Sequence, residues 1–191
     1  MNTFIEVILT RKSIRKFTEE KVSKETLELL LTAAMNAPSA CNQQSWYFII
    51  VADQEKLRKL SELHDGVKFV KDAPIAVIIC GQPSAAILDY YWADDCAAAT
   101  QNLLLAAHSL GLGATWTGIN RQDSLAVQLY RENIGIPEQY FPFAMVPIGY
   151  PAEQTVSNNK YDEKKILWDK SIGPAGVAEH ISGRQYPLDP S

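Results

Sequence analysis

One stretch of this sequence is too apolar to form a surface helix. Residues 87–110 predict the longest helix of the chain, and more than half of its middle, from Asp94 to His108, is alanine or leucine. A helix that is apolar on most of its sides is buried, so we expect it in the core or at a subunit interface. Gly111 follows it, where glycine commonly ends a helix. His108 falls in its last turn, where the helix dipole favours a positive charge.

The other elements mix helices and strands without regular alternation. Helices are predicted from apolar residues at helical spacing, and buried strands from continuous apolar runs. The predicted helices cover residues 3–10, 24–37, 54–63 and 123–132; the strands cover 46–52, 75–80, 114–119 and 143–148, and residues 66–72 form a polar connector. This order predicts an α+β fold rather than a doubly wound parallel sheet.

Length, charge and cysteine content exclude several classes of protein. The 191 residues, 47% of them hydrophobic, suit one globular domain, or one domain with a tail. Eighteen basic and 22 acidic residues give a net charge of −4, which disfavours nucleic acid as a partner. No apolar run reaches the roughly 18 residues of a membrane span. Without a recognisable signal peptide, Cys41, Cys80 and Cys96 are expected to be reduced thiols of a cytoplasmic protein, and their spacing does not suit a metal site.

Positive charge is concentrated between Arg11 and Phe17. Four of these seven residues are cationic, and Arg11, Ser13 and Arg15 stand two positions apart. In an extended segment this spacing places the three side chains on one face. Guanidinium groups and a hydroxyl are suitable donors for phosphate oxygens. The segment therefore predicts an anion site, although on charge alone a solvated basic turn is the simpler interpretation.

A second polar segment lies between a predicted helix and a predicted strand. Residues 37–46 contain Ser39, Asn42, Gln43, Gln44 and Trp46. Amide side chains both donate and accept hydrogen bonds, as the edge of a heterocyclic ring does. The segment is thus a candidate for contact with such a ring, whereas Asn42 could also serve simply as a turn residue.

Together these segments resemble the nitroreductase-like family of FMN-dependent oxidoreductases. The family reads R-x-S-x-R near its N-terminus and P-S-x-x-N-x-Q-x-W about 25 residues later, as this chain does. Gly111–Gly118 resembles its G-L-G-x-x-W-x-G loop, and Ile148–Pro151 resembles its I-G-Y-P strand end. Four motifs in order make the resemblance specific. It covers roughly residues 3 to 168.

The resemblance implies an architecture. It predicts a three-layer α-β-α fold, in which helices flank a central mixed sheet. It also implies an obligate homodimer with two FMN sites at the interface and a domain-swapped C-terminal arm. Residues 1–168 would form the FMN-binding domain, and residues 169–191 a tail that packs on the partner subunit.

The resemblance also assigns roles at the first motif and near the C-terminus. Arg11 and Ser13 would hold the FMN phosphate and ribityl chain, with Lys12 beside them. Arg15 would lie nearer the pyrimidine edge of the flavin. Lys160 stands where relatives often place an arginine on the phosphate.

Two further segments would contact the flavin ring. From the other subunit, the second motif would supply the residues Pro38, Ser39 and Asn42, with Gln44 closing the loop. Ala40 replaces a serine that many relatives carry, and Cys41 has no basic neighbour in sequence that would make it a nucleophile. The third motif, Trp116, Thr117 and Gly118, would pass the ring edge, where glycine permits close approach.

The activity implied is reduction of small, electron-poor aromatic acceptors, such as nitroaromatics and quinones. NAD(P)H would reduce FMN, and the acceptor would then reoxidise it at the same face in a ping-pong sequence. The flavin would carry the chemistry, with no catalytic side chain and no metal. Alternatives are reductive dehalogenation or flavin fragmentation on the same fold, or an FMN-binding protein without turnover.

Overall fold

The computed structural model describes residues 3–153, 156 and 160–167. The helices are α1 Thr3–Thr10, α2 Lys24–Met35, α3 Gln54–Ser61, α4 Trp92–Ser109 and α5 Ser124–Ile134. The strands are β1 Trp46–Val51, β2 Ile75–Gly81, β3 Gly113–Ala114, β4 Thr117–Gly118 and β5 Phe141–Gly149. Short 3₁₀ segments cover Ala40–Asn42, Asp65–Asp72, Pro83–Ala85, Asp89–Tyr91 and Glu163–Lys165. The predicted tail, residues 169–191, and the arm that it would form lie outside the described residues.

The sheet is built around β5, its longest strand. The strand order is β1-β2-β5-β3, and β4 also pairs with β5. These strand pairs are antiparallel. A parallel component enters through an isolated bridge between Ser13 and Ala114. The predicted mixed sheet is therefore antiparallel in its body, with a parallel contact at the β3 edge.

Alternate residues of the sheet face two separate helical layers. One face, including Val77 and Val146, packs with α2 and α4. The other, including Ile78 and Met145, packs with α3, α5 and the 3₁₀ segment Asp65–Asp72. The fold is thus α+β with three layers, as predicted. The prediction of a polar connector at 66–72 was wrong, because Val67 and Val70 are fully buried there.

Helix α4 lies in the core, as its composition predicts. Cys96, Ala99, Leu103 and Ala107 are buried at spacings of three or four residues. Gly111 follows with φ 76°, the left-handed conformation expected of a glycine after a helix.

The helix begins at Trp92 rather than at the predicted residue 87. Both backbone groups of Leu88 bind the Gln43 side chain: its N–H donates to Oε1 at 2.9 Å, and its carbonyl accepts from Nε2 at 3.3 Å. The chain then passes through the 3₁₀ turn Asp89–Tyr91. Leu88 is held with φ −122° and ψ 89°, outside the helical region, so the helix begins after it.

Candidate functional site

The first motif runs as an extended segment along the β3 edge of the sheet. Ser13 bridges Ala114, and the Ile14 N–H donates to the Ala114 carbonyl at 3.1 Å. The Thr115 hydroxyl donates to the Ile14 carbonyl. Ile14 is buried, whereas Ser13 is half-buried and Arg15 is exposed. The basic segment is therefore anchored by its backbone and by Ile14, which leaves the residues on either side available at the surface.

The polar side chains of this segment are available to a ligand. Among the described residues, the side chains of Arg11, Lys12 and Ser13 form no hydrogen bond or ion pair with one another or with the rest of the fold. The Arg15 guanidinium lies 5.8 Å from the centroid of Phe69, and the Arg15 N–H donates to Glu153 Oε1 at 2.8 Å. Two guanidinium groups, an ammonium and a hydroxyl on one short segment are suited to an anion such as phosphate.

Glycines of the third and fourth motifs let this segment approach the sheet. A Cβ on Gly113 would lie 2.6 Å from Ile14 Cγ2, and one on Gly149 would lie 2.6 Å from Pro74 Cδ and 3.0 Å from Phe17. Beyond the sheet, the Thr18 N–H donates to the Tyr150 carbonyl at 2.9 Å. The structure thus brings the first, third and fourth motifs together, at the contacts where only a glycine fits.

The end of the third motif presents an open backbone edge. Gly118 is exposed, and a Cβ built on it would meet no atom within 4 Å. Thr117 is buried, and its hydroxyl donates to the Met145 carbonyl at 2.6 Å. The half-buried Trp116 packs against Phe143 at a centroid distance of 5.6 Å. Thr117 and Trp116 therefore fix β4 on the sheet, and Gly118 leaves room beside it.

The second motif forms a compact loop. The Gln44 N–H donates to Ser39 Oγ at 3.1 Å, and Gln44 Nε2 donates to Asn42 Oδ1 at 2.9 Å. Pro38, Asn42 and Gln44 are exposed, and Ser39 is half-buried. The loop thus presents amide groups to its surroundings, and its exposed thiol, Cys41, stands among them.

The first and second motifs lie at opposite ends of the sheet. In the first motif, Ser13 bridges Ala114, and Ala114 pairs with Ile148 of β5. In the second motif, Trp46 pairs with Gly81, and Gly81 pairs with Phe141 of β5. Ile148 and Phe141 are seven positions apart, or about 23 Å along a strand. The two sets of predicted site residues therefore do not converge within one chain.

Comparison with known proteins assigns the family. The model of the nitroreductase family matches residues 8–82 and 65–150. The chain belongs to the nitroreductase family. It is 43% identical over 166 residues to the "Putative NADH dehydrogenase/NAD(P)H nitroreductase" of Methanothermobacter thermautotrophicus, covering 87% of this chain and 86% of the relative.

Solved structures of nitroreductases share the fold. One from Parabacteroides distasonis, with the same name as the archaeal relative, gives a TM-score of 0.84 at 36% identity, covering 88% of this chain and 99% of that chain. An FMN-dependent nitroreductase from Clostridium difficile R20291 gives 0.79 at 34% identity, covering 86% and 98%. The family and the three-layer nitroreductase fold predicted from the sequence are confirmed.

One feature of this nitroreductase differs from the sequence-based expectation. His108 was expected to favour its charged form, but burial, and secondarily the charge of Arg11, lower its pKa. Its ring contacts Thr10 Oγ1 at 2.8 Å. Lys160 is exposed and forms no hydrogen bond or ion pair within the described part of the chain, so its role at the phosphate stays a prediction.

Sequence reasoning missed Asp95, a carboxylate that is only 4% exposed and that binds the second motif. A signal was present, because Asp95 continues the four-residue spacing of the buried Ala99, Leu103 and Ala107. A charged residue on the buried side of a core helix requires hydrogen-bond partners.

A cleft beside the first motif contains none of the residues predicted to bind the cofactor. It has a volume of about 750 Å³ and lies between Phe17, Lys21, Lys71 and Pro74, among others. Its lining carries both lysine and carboxylate side chains, including Glu19 and Asp72. The mixed charge does not single out an anionic ligand, and we assign no function to this cleft.

Proposed function

We propose that this protein is a homodimeric oxidoreductase that uses NAD(P)H to reduce small, electron-poor acceptors such as nitroaromatics and quinones, in a ping-pong sequence on one face of FMN. The oxidoreductase class and the cofactors, FMN with NAD(P)H as co-substrate, are those of its relatives. The observation that carries the proposal is the row of unpaired cationic side chains at the β3 edge within the described residues.

The donor set fits the chemical groups of FMN. Arg11, Lys12 and Ser13 would hold the phosphate and the ribityl chain, because these side chains have no competing partner in the described structure. Arg15 would face the pyrimidine edge, with its backbone held by Glu153. Gly118 would allow the ring edge to approach the backbone. When bound, FMN supplies hydride transfer, and the protein orients the ring.

The sheet geometry supports a site shared between subunits. Ser39 and Asn42 lie far from Arg11 and Ser13 in one chain, so we propose that they complete the site of the partner. Helix α1, which has no buried residue, offers an apolar surface for this contact, including Ile5 at 39% and Ile8 at 42% exposure. Pro38 and Gln44 would shape the same loop.

The C-terminal assignments extend this proposal. Lys160 would reach the phosphate, and the tail 169–191 would pack on the partner subunit. No helix among the described residues is long and apolar enough to cross a membrane. The cytoplasmic location and the absence of a nucleic-acid partner stay predictions.

An acceptor panel on purified, FMN-loaded protein tests the activity. We expect steady NADH or NADPH oxidation with menadione or a nitroaromatic compound, and none without an acceptor. Anaerobic flavin absorbance should show bleaching by NAD(P)H alone and recovery on adding the acceptor. Flavin that binds but is never reduced would instead indicate a binding protein, and loss of iodide or bromide from a halophenol would indicate dehalogenation.

A further inference from the structure

A buried carboxylate of helix α4 accepts hydrogen bonds from the second motif. Asp95 of α4 is 4% exposed and accepts three hydrogen bonds from that loop. Its Oδ1 accepts from the Ala40 N–H at 2.8 Å, and its Oδ2 accepts from Gln43 Nε2 at 2.6 Å and Ser45 Oγ at 3.1 Å. Asp95 is not among the residues predicted to bind the cofactor. A buried carboxylate that accepts three hydrogen bonds is a specific structural interaction.

The loop that Asp95 holds is strained. Cys41, Asn42 and Gln44 have φ values of 49°, 52° and 47°. Non-glycine residues adopt this left-handed region at a cost, and such residues persist where the surroundings over-determine them, often at functional sites. Three of them within four positions require an external restraint, and the Asp95 hydrogen bonds supply it.

The chemistry of the contact requires a carboxylate. The Gln43 amide cannot rotate, because Oε1 accepts from the Leu88 N–H and Nε2 donates to the Leu88 carbonyl. Its Nε2 therefore points at Asp95 as a donor. An asparagine at position 95 has one oxygen and one N–H₂ group. In one orientation its N–H₂ would face Gln43 Nε2, and in the other it would face the Ala40 N–H. In either case one buried donor would lose its acceptor.

We propose that Asp95 is a positioning residue that fixes residues 39–45 in the shape that presents Ser39, Asn42 and Gln44 to the flavin of the partner subunit. This inference rests on the proposed function, in which the loop completes the partner's site. Asp95 itself does not reach the flavin. Its effect passes through the loop backbone at Ala40 and through the amide of Gln43.

The test compares Asp95→Asn with Asp94→Asn, the same change at an exposed neighbour on α4. We expect Asp95→Asn to weaken FMN binding about ten- to a hundred-fold, the effect of losing one or two hydrogen bonds to a charged group. The visible spectrum of the flavin that still binds should shift. Asp94→Asn should match wild type. A dissociation constant and spectrum for Asp95→Asn equal to those of Asp94→Asn, with only the melting temperature lowered, would overturn the inference.

Mixed dimers separate a local effect on the loop from general damage. One subunit carries Arg11→Ala and the other Asp95→Asn, each with a different tag. If Asp95 acts on the partner's flavin, both defects fall on one site and the other site is intact, so the mixed dimer binds one FMN with wild-type affinity. Weakened binding at both sites would place the effect of Asp95 in its own subunit and overturn the inference.

Two controls keep the outcome interpretable. If Asp95→Asn does not fold, Gln43→Ala removes one of its donors and the contact with Leu88, and the same loss of affinity and the same complementation are expected. If wild type itself does not bind FMN, the proposed function has failed rather than the role of Asp95. If wild type binds FMN and turns over, and neither Asp95→Asn nor Gln43→Ala has an effect, the role of Asp95 is rejected and the proposed function stands.

Discussion

At the scale of single residues, the contacts that hold the first motif in the fold are separate from the side chains proposed to bind the ligand. The Arg11 N–H donates to the Val7 carbonyl at 3.0 Å, and Ile14 packs into the core, while the side chains of Arg11 and Ser13 stay unpaired within the described structure. Replacing such a side chain removes donors without removing a backbone contact. Effects on ligand binding and on folding should therefore separate at these positions.

Arg11→Ala tests this separation. Losing one charge-assisted contact to phosphate should cost about 1.5–3 kcal/mol, or roughly ten- to a hundred-fold in FMN affinity. The melting temperature of the FMN-free protein should change little. Lys16→Ala is the control, since it removes one positive charge from the same segment at a residue outside the predicted site. Equal losses in both variants would show a general charge effect instead of a specific phosphate contact. Fluorescence titration of FMN gives both affinities.

His108 gives the fold a pH dependence. Burial and Arg11 lower its pKa from the ordinary value of 6.5, so the unfolded chain binds the proton more readily than the folded one. Its contribution to stability is complete above pH 6.5 and is lost as the pH falls from there towards the folded-state pKa. In His108→Gln, thermal denaturation between pH 7 and 5 should show a smaller loss of melting temperature than in wild type. An identical slope in both proteins would assign the acid sensitivity to other groups.

At the scale of elements, the spacing of apolar residues predicted the faces that pack in the core. It did not predict the segments whose position depends on polar contacts. The core faces of α2, α4 and β2 follow from apolar spacing alone. The start of α4 was misplaced because the Gln43–Leu88 contact joins residues 45 positions apart. Residues 66–72 were taken as polar because their two buried valines stand among the charged residues Lys68, Lys71 and Asp72. The predicted site residues came from motif order. Asp95 does follow the four-residue spacing of the buried face of α4, but this spacing does not show which distant groups its carboxylate binds.

Substitutions at two glycines of the third motif should have different effects, one on packing and the other on cofactor binding. Gly113→Ala should destabilise the fold by about 1–3 kcal/mol, because its Cβ would overlap Ile14 beside the first motif. Gly118→Ala enters open space, so its melting temperature should stay near that of wild type. Its FMN affinity should nevertheless fall, since the methyl group would occupy the space proposed for the ring edge. Unchanged FMN binding in Gly118→Ala would remove this glycine from the proposed site.

At the scale of the whole molecule, the proposed homodimer accounts for two features of the single chain. The two motifs that would bind one flavin are separated along β5, and the apolar side chains of α1 face outwards. Other exposed apolar residues include Leu29 at 59% and Met35 at 49%, both on α2. An exposed apolar surface of this kind is typical of a protein interface. A second copy of the chain would cover that surface and bring the second motif to the first.

Ile8→Glu tests whether the α1 surface is the dimer interface and whether FMN binding requires the dimer. A carboxylate buried at a subunit contact without a partner is strongly unfavourable, so the variant should be largely monomeric by light scattering. Because Ser39 and Asn42 of the other subunit would then be absent, its FMN affinity should fall as well. Leu125→Glu is the matched control: this residue is 63% exposed on α5, away from α1, and its replacement should leave both properties unchanged. A folded Ile8→Glu monomer that binds FMN as tightly as wild type would show that one chain holds the whole site.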